Sequence, residues 1–362
     1  MACTISSLPE SGIMVFSETL LRLPYSLIWH LLRILNSLEP VVVYCQELID
    51  YYSISPVLEH LGKTLIITRN KELIAILKRK QIPFGKMPSF PKAVIMCRHA
   101  THKFPCSPIV KIGMRHGPYH FKRMTMAKNY NRFDLYLFSS LADLQAAEEI
   151  GVHCGKAVGF PRLDAMRDGS ISPSDLDRLK EKLQLDDRKP VLLFSATWDK
   201  SGMSAVQNWY NRLHTITARY NILVTLHPWT EKSIARRIEA TEGVHLIHDA
   251  NLLPYIMLAD VCIGDTSSLL AEFSALSKPI ITFKTERAKR SLDEIEELIS
   301  MISLPISSFN ELEKAIETLL NAPEHLKDKQ MKANHIMFDA FDGKASQRAA
   351  AQIIKLIPEL AK

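Results

Sequence analysis

At 362 residues, 47% hydrophobic and 23% charged, the chain has an ordinary globular composition with room for two cored domains, which sets aside intrinsic disorder. Its net charge of +6 is uneven: residues 61–135 carry 16 Lys or Arg against two acids, Glu72 and Asp134, a local +14 that leaves −8 for the remainder. That half calls for an anionic partner, a membrane surface or a phosphorylated polymer, whereas the lack of helix-turn-helix, zinc-finger or RNP-like signals argues against nucleic acid.

In chain order, residues 1–36 form an amphipathic N-terminal segment whose apolar run, 18–35, is interrupted by Arg22, Pro24, His30 and Arg33. It is too broken for a span of about 20 apolar residues and lacks the basic start and cleavage site of a secretory signal. Two readings stand: a helix in a membrane interface with Trp29, Leu and Ile inward and Arg outward, or a helix packed on the domain surface. From residue 41, apolar runs at 41–45, 65–68, 93–97, 109–114, 135–139 and 157–159 alternate with helical patterns at 56–61, 71–79 and 141–150. Repeated βα units predict an α/β domain with a mostly parallel sheet over 37–168. A polar stretch at 169–189, with a helix at 173–185, leads to runs at 191–195, 222–226, 244–247, 261–264 and 279–283, a second α/β domain over 190–325. From residue 309 onward the pattern is helical, including 310–320 and 346–360, and its last part, 326–362, forms C-terminal helices of the kind that can return to the first domain. The six cysteines, Cys3, Cys45, Cys97, Cys106, Cys154 and Cys262, show no paired spacing and sit mostly in or beside apolar runs, as reduced cytosolic cysteines do.

The candidate chemistry lies where predicted strands meet polar loops, the positions at which open α/β sheets place ligand groups. The run 261–264 stops at Asp265-Thr266-Ser267-Ser268, just before a helical pattern. Free N–H groups and hydroxyls there make a seat for phosphate or pyrophosphate, though the same residues also serve as ordinary N-caps. Asp265 orients His227 or a ribose hydroxyl, or simply caps. His116-Gly117 follows 109–114 and His227-Pro228 follows 222–226. A neutral imidazole at His116 suits a general base, with Gly117 leaving the backbone room for a close ligand, and His227 suits a donor to a diphosphate oxygen. Arg162, between Pro161 and Leu163, either contacts phosphate or pairs with Asp164. Arg115, Lys122 and Arg123 extend the basic surface around His116 towards a phosphorylated acceptor. The Cys97, His99, His102 and Cys106 cluster is spaced too tightly for a usual zinc site, so no metal is expected. Signatures of dinucleotide oxidoreductases, P-loop NTPases and serine hydrolases are lacking.

Six short motifs, Arg115-His116-Gly117, Gly159-Phe160-Pro161-Arg162-Leu163-Asp164, Ala196-Thr197-Trp198, His227-Pro228, Asp265-Thr266-Ser267-Ser268 and Asp342-Gly343-Lys344-Ala345-Ser346, stand in the order and approximate spacing of one family. Over about residues 105–350 the chain resembles the CDP-glycerol glycerophosphotransferases of the teichoic-acid polymerase group. The resemblance implies a GT-B architecture, two Rossmann-like domains facing a cleft, with the nucleotide held mainly by the second. It implies transfer of glycerol phosphate, or a similar polyol phosphate, from CDP-glycerol to a hydroxyl of a lipid-linked or glycan acceptor, releasing CMP. The setting implied is peripheral, at the cytoplasmic face of an anionic membrane, with no cofactor and no required metal, and the family counterpart of His116 supports its role as base. The family's Trp-His-Gly-Thr-Pro opening stands here as Arg-His-Gly-Pro-Tyr, and Asp199 replaces the basic residue that commonly follows Thr-Trp. The polymerases also carry further N-terminal sequence, so a single addition is as open as polymerisation. Two alternatives remain: a UDP-sugar-dependent GT-B glycosyltransferase or epimerase, and a non-catalytic adaptor that binds nucleotide or lipid.

Overall fold

The computed structural model describes residues 10–117, 126–285 and 293–362, with residues 10–21 described by backbone alone. Among these residues two all-parallel sheets form. The first contains β1 (Glu39–Tyr44), β2 (Leu65–Ile67), β3 (Phe84–Gly85), β4 (Pro91–Met96), β5 (Val110–Met114), β6 (Leu135–Phe138) and β7 (Gly155–Ala157), in the spatial order β3-β2-β1-β4-β5-β6-β7. The second contains β8 (Val191–Ala196), β9 (Asn221–Leu226), β10 (Val244–Leu246), β11 (Val261–Gly264), β12 (Ile280–Phe283) and β13 (Leu304–Ile306), in the order β10-β9-β8-β11-β12-β13. Each sheet starts in its middle, grows to one side and then reverses, as a doubly wound Rossmann sheet does.

The central strands read as unbroken apolar runs because helices cover both faces and no side of the strand meets water. Val41, Val42 and Val43 of β1, and all of β8, are buried. In the first sheet Val42 pairs with Val94 and Ile95 with Ile112, fixing the register of β1, β4 and β5.

Two short edge strands escape sequence analysis. β3 is two residues long, and β13 carries Pro305, which an edge tolerates because its missing N–H has no ladder to break. β7 lies two residues earlier than expected, with Gly159 in the left-handed region at φ +88° just beyond it. The helix expected at 56–61 runs Leu48–Leu58 instead, started by Asp50, whose carboxylate accepts the Gln46 and Glu47 N–H groups at 3.0 and 2.9 Å.

The N-terminal helix, Glu10–Ile34, packs on the first sheet. Trp29 is buried and donates from Nε1 to the Pro91 carbonyl at 2.7 Å, and the Tyr25 hydroxyl donates to the Ser89 carbonyl at 2.6 Å. Trp29 therefore faces the protein core, correcting its expected place in a membrane interface. No helix among the described residues is long and apolar enough to cross a membrane.

The tail divides between the domains. Helix Lys327–Phe338 gives Ala333, Met337 and Phe338 to the second domain's core, whereas helix Ala345–Leu356 gives Ala349, Ala350 and Ile353 to the core under β1, β4 and β5. The Leu360 carbonyl, four residues past that helix, accepts the Gly62 N–H at 2.7 Å.

Candidate functional site

In a doubly wound sheet the loops after the strands part at the point where the order reverses, leaving a crevice at the carboxyl edge. Here those points lie between β1 and β4 and between β8 and β11. Glu47 and Arg98 follow the first pair of strands; Thr197 and Asp265 follow the second. His116 follows β5, next to β4, and His227 follows β9, next to β8.

His116 is half-buried, and its Nδ1 lies 3.1 Å from the Cys97 carbonyl. A carbonyl oxygen only accepts, so Nδ1 carries the proton and Nε2 holds the basic lone pair. Burial, followed by the nearby positive charge of Arg98, holds the ring's pKa below its ordinary value, so the imidazole is neutral near pH 7. Arg98 is fixed by the buried Asp50, to which its Nε donates at 2.9 and 3.1 Å, and by Glu47 at 3.3 Å. The Ser53 hydroxyl donates to the His116 carbonyl at 3.1 Å, tying the base to helix Leu48–Leu58. Gly117 leaves open space where a Cβ would stand.

Arg115 does not serve the acceptor role expected of it. Its side chain is buried in a two-contact ion pair with Asp143, Nε to Oδ2 at 2.7 Å and Nη2 to Oδ1, and its guanidinium lies 5.3 Å from the Phe138 ring centre. Burial opposes its charge, but Asp143 and two tyrosines outweigh that and raise its pKa. Lys122 and Arg123 lie outside the described residues.

Arg162 pairs neither with Asp164 nor with a surface group. It is buried at the domain junction, donating from Nη1 to Glu272 at 3.0 Å, while its Nε and Nη2 and the second Glu272 oxygen have no partner among the described residues. Burial pushes the Glu272 carboxyl up, and Arg162 opposes that shift. Asp164 instead caps helix Ala345–Leu356, accepting N–H bonds from Ala345 and Ser346 at 3.0 and 2.7 Å and the Ser346 hydroxyl at 2.5 Å.

At the second crevice Asp265 is buried and takes backbone N–H bonds from Thr197, Ala205, Thr266 and Ser267, at 3.0, 2.9, 2.6 and 3.1 Å. Burial pushes its pKa up to about 6 against those donors. At the phosphate seat expected there, the N–H groups of Thr266 and Ser267 point at the chain's own carboxylate, and helix Leu269–Ser274 is six residues long. Asp265 therefore joins the loops after β8 and β11. Thr266 donates to the Met203 carbonyl at 3.4 Å, Ser267 accepts the Ser195 hydroxyl at 3.2 Å, and Ser268, exposed, makes no side-chain cap.

His227 is held differently from His116. The Trp229 N–H donates to its Nδ1 at 3.1 Å, so the neutral ring carries its proton on Nε2. Trp229, 70% exposed, packs edge-on against Trp198 with ring centres 5.5 Å apart and against His227 at 5.2 Å. Trp229 thus stands beside His227 after β9 with Trp198 packed on its far side; the Thr-Trp motif was a signal for Trp198.

Cys97, His99, His102 and Cys106 do not converge. Cys97 contacts the Asp50 carbonyl, and His99 stacks on Tyr136 with ring centres 5.6 Å apart. Asp50, Asp143 and Glu272, the acids that position Arg98, Arg115 and Arg162, lie 28 to 110 residues from their partners, too far for local spacing to reveal them.

A family model described as CDP-Glycerol:Poly(glycerophosphate) glycerophosphotransferase matches residues 102–355. The chain is 24% identical over 268 residues to the teichoic acid poly(ribitol-phosphate) polymerase of Bacillus spizizenii, covering 71% of this chain and 42% of that protein. It is 28% identical over 122 residues to the teichoic acid glycerol-phosphate primase of Bacillus subtilis, covering 32% of this chain and 31% of that protein. The matches thus span less than half of either relative. Among solved structures, the wall teichoic acid polymerase TagF superposes with a TM-score of 0.71 at 16% identity, covering 95% of this chain and 98% of the other. UDP-GlcNAc 2-epimerase from Neisseria meningitidis, bound to UDP-GlcNAc, superposes at 0.62 and 16% identity, covering 88% and 100%. The architecture is the GT-B fold.

Proposed function

The chain belongs to the CDP-glycerol:poly(glycerophosphate) glycerophosphotransferase family, and from that premise we propose that it moves glycerol phosphate, or a similar polyol phosphate, from a CDP-activated donor to a hydroxyl of a membrane-associated acceptor. The observation that supports the reading is that two histidines at strand ends are held through Nδ1 in opposite senses, His116 beside the Cys97 carbonyl after β5 and His227 accepting the Trp229 N–H after β9. Phosphoryl transfer needs a base for the attacking hydroxyl and donors for the charge that gathers on the leaving diphosphate. His116 offers a lone pair on Nε2; His227 offers an N–H on Nε2.

In this mechanism the acceptor hydroxyl gives its proton to His116 Nε2 as its oxygen attacks the β-phosphorus of CDP-glycerol. The bond from that phosphorus to the bridging oxygen breaks, and CMP leaves with the electron pair. His227 stabilises the diphosphate oxygens, and the unpartnered Nε and Nη2 of Arg162 supply a buried cation at the junction. Trp229 and Trp198 form an aromatic wall beside His227 that suits a nucleoside. Asp265 holds that wall in place through Thr197. The setting proposed is the cytoplasmic membrane face, with no cofactor and no required metal.

The test is nucleotide release from CDP-glycerol and from a UDP-sugar panel, with detergent-solubilised membrane lipids as acceptor. CMP release that depends on His116 supports the reading. UDP release, or epimerised UDP-sugar, assigns the chain to the other GT-B donors instead, and binding without release makes it an adaptor.

A further inference from the structure

The loops after β8 and β9 each hold a buried polar atom with no hydrogen-bond partner among the described residues: Oδ1 of Asp199 and Oγ1 of Thr230. Both loops are firmly set. The turn after β8 is closed at its two ends by one carboxylate, for Asp265 accepts the N–H of Thr197 at 3.0 Å and of Ala205 at 2.9 Å. Within it the Ser204 hydroxyl donates to the Thr197 carbonyl at 2.8 Å. After β9, the Trp229 and Thr230 N–H groups donate to Nδ1 and to the carbonyl of His227, at 3.1 and 2.9 Å. β8 and β9 are neighbours in register, Ala196 opposite Leu226, so the two loops leave the sheet side by side. Trp198 and Trp229 join them edge to face, and Asp199 and Thr230 are the residues that follow those two rings.

A polar atom shut off from water and left unpaired costs the fold its hydration, and most to a charged group, so two of them on adjoining clamped loops suit a polar ligand. Their chemistry restricts which one. A carboxylate oxygen only accepts a hydrogen bond, whereas a threonine hydroxyl both donates and accepts. A phosphate oxygen would be repelled by Asp199; a pair of neutral hydroxyls satisfies both atoms. Asp199 also stands where a basic residue commonly follows Thr-Trp in the family, so the pairing departs from the common pattern.

We propose that Asp199 and Thr230 hold adjacent hydroxyls of the activated donor, those of its ribose or those of the polyol it transfers. One hydroxyl donates to Asp199 Oδ1, and its neighbour shares a hydrogen bond with Thr230 Oγ1. The pair thereby selects a donor by its neutral hydroxyls, beside the diphosphate oxygens assigned to His227. The proposal rests on the function proposed above for where the donor lies, and not for its base or its reaction.

Calorimetry on the full chain, read without turnover, tests it with CMP, deoxycytidine monophosphate, UMP and CDP-glycerol. Asp199→Ala should weaken binding tenfold or more, the value of a hydrogen bond to a charged group, and Thr230→Val about fivefold. If the ribose is held, CMP, UMP and CDP-glycerol lose alike, while deoxycytidine monophosphate, already lacking one hydroxyl, loses less than CMP. If the polyol is held, CDP-glycerol alone loses. Equal losses on CMP and deoxycytidine monophosphate would put base or phosphate at the site and overturn the proposal. Tighter binding by Asp199→Ala would also overturn it, since the carboxylate would then only repel the diphosphate, as would unchanged affinity for all four. Nucleotide release on the same variants separates this result from the fate of the proposed activity. A chain that released UDP would lose the CDP-glycerol reading and still show the ribose losses on UMP; CMP release with unchanged affinities would leave that reading standing without the hydroxyl site.

Discussion

At the scale of single residues, the proposed chemistry turns on how each histidine's ring is held. Burial and Arg98 lower the pKa of His116, so its neutral, basic form persists to lower pH than in a free imidazole. The acid limb of kcat/KM should fall below pH 6.5. Arg98→Gln removes the positive charge and leaves the Asp50 carboxylate facing the ring, so both changes favour the imidazolium and the limb should move to higher pH; a limb that stayed put would detach Arg98 from the base. His227→Ala should weaken CDP-glycerol binding by tenfold or more, the value of a hydrogen bond to a charged oxygen, measurable by calorimetry. Arg115→Ala has a different signature. It leaves Asp143 buried without its cation, so urea unfolding should show a loss of about 3–5 kcal/mol, with little change in donor affinity for whatever folded enzyme remains. The positions of His116 and His227 just past β5 and β9 were legible because each stands at the end of an apolar run. Their tautomers were not, since these depend on the Cys97 carbonyl and the Trp229 N–H, placed by the fold. Arg115 misled because a basic residue beside a candidate base reads as a ligand contact until Asp143, 28 residues away, is seen against it.

Among the elements, two motifs about 180 residues apart turn out to be one structure. The Asp164 carboxylate caps helix Ala345–Leu356, and Arg348 of that helix donates to the Val158 carbonyl at 2.9 Å and to Asp342. Gly159 passes so close that an added Cβ would come within 2.9 Å of Ala345 Cβ, at a φ that side chains rarely adopt. Asp164→Ala should cost about 1–2 kcal/mol for the lost cap, read as a lower Tm. Gly159→Ala should cost more than that, because strain and contact both oppose it. Sequence order alone could list these motifs but could not show that they meet. The central strands, by contrast, were legible from apolar runs, because doubly covered strands need no polar face. β3 and β13 were not, being too short to carry a period.

For the whole molecule, the tail stitches the domains together: one helix enters the second core and the next enters the first. The loops at the carboxyl edges of the two sheets then carry the two histidines of the proposed transfer, His116 after β5 and His227 after β9. The basic stretch of residues 61–135, evident in the sequence, is partly tied up inside the fold, with Arg98 on Asp50, Arg115 on Asp143 and Lys111 on the Cys106 and Ile109 carbonyls, placements that no linear charge count contains. The measurement that most directly tests the central claim pairs CMP release from CDP-glycerol with CDP-glycerol binding, on wild-type protein and His116→Ala, with solubilised membrane acceptor. The account predicts CMP release by the wild type, a drop of roughly 10²–10⁴ in the variant, and donor binding within about twofold of the wild type. Absence of CMP release from the wild type, or an equal loss of binding and release in the variant, would contradict it.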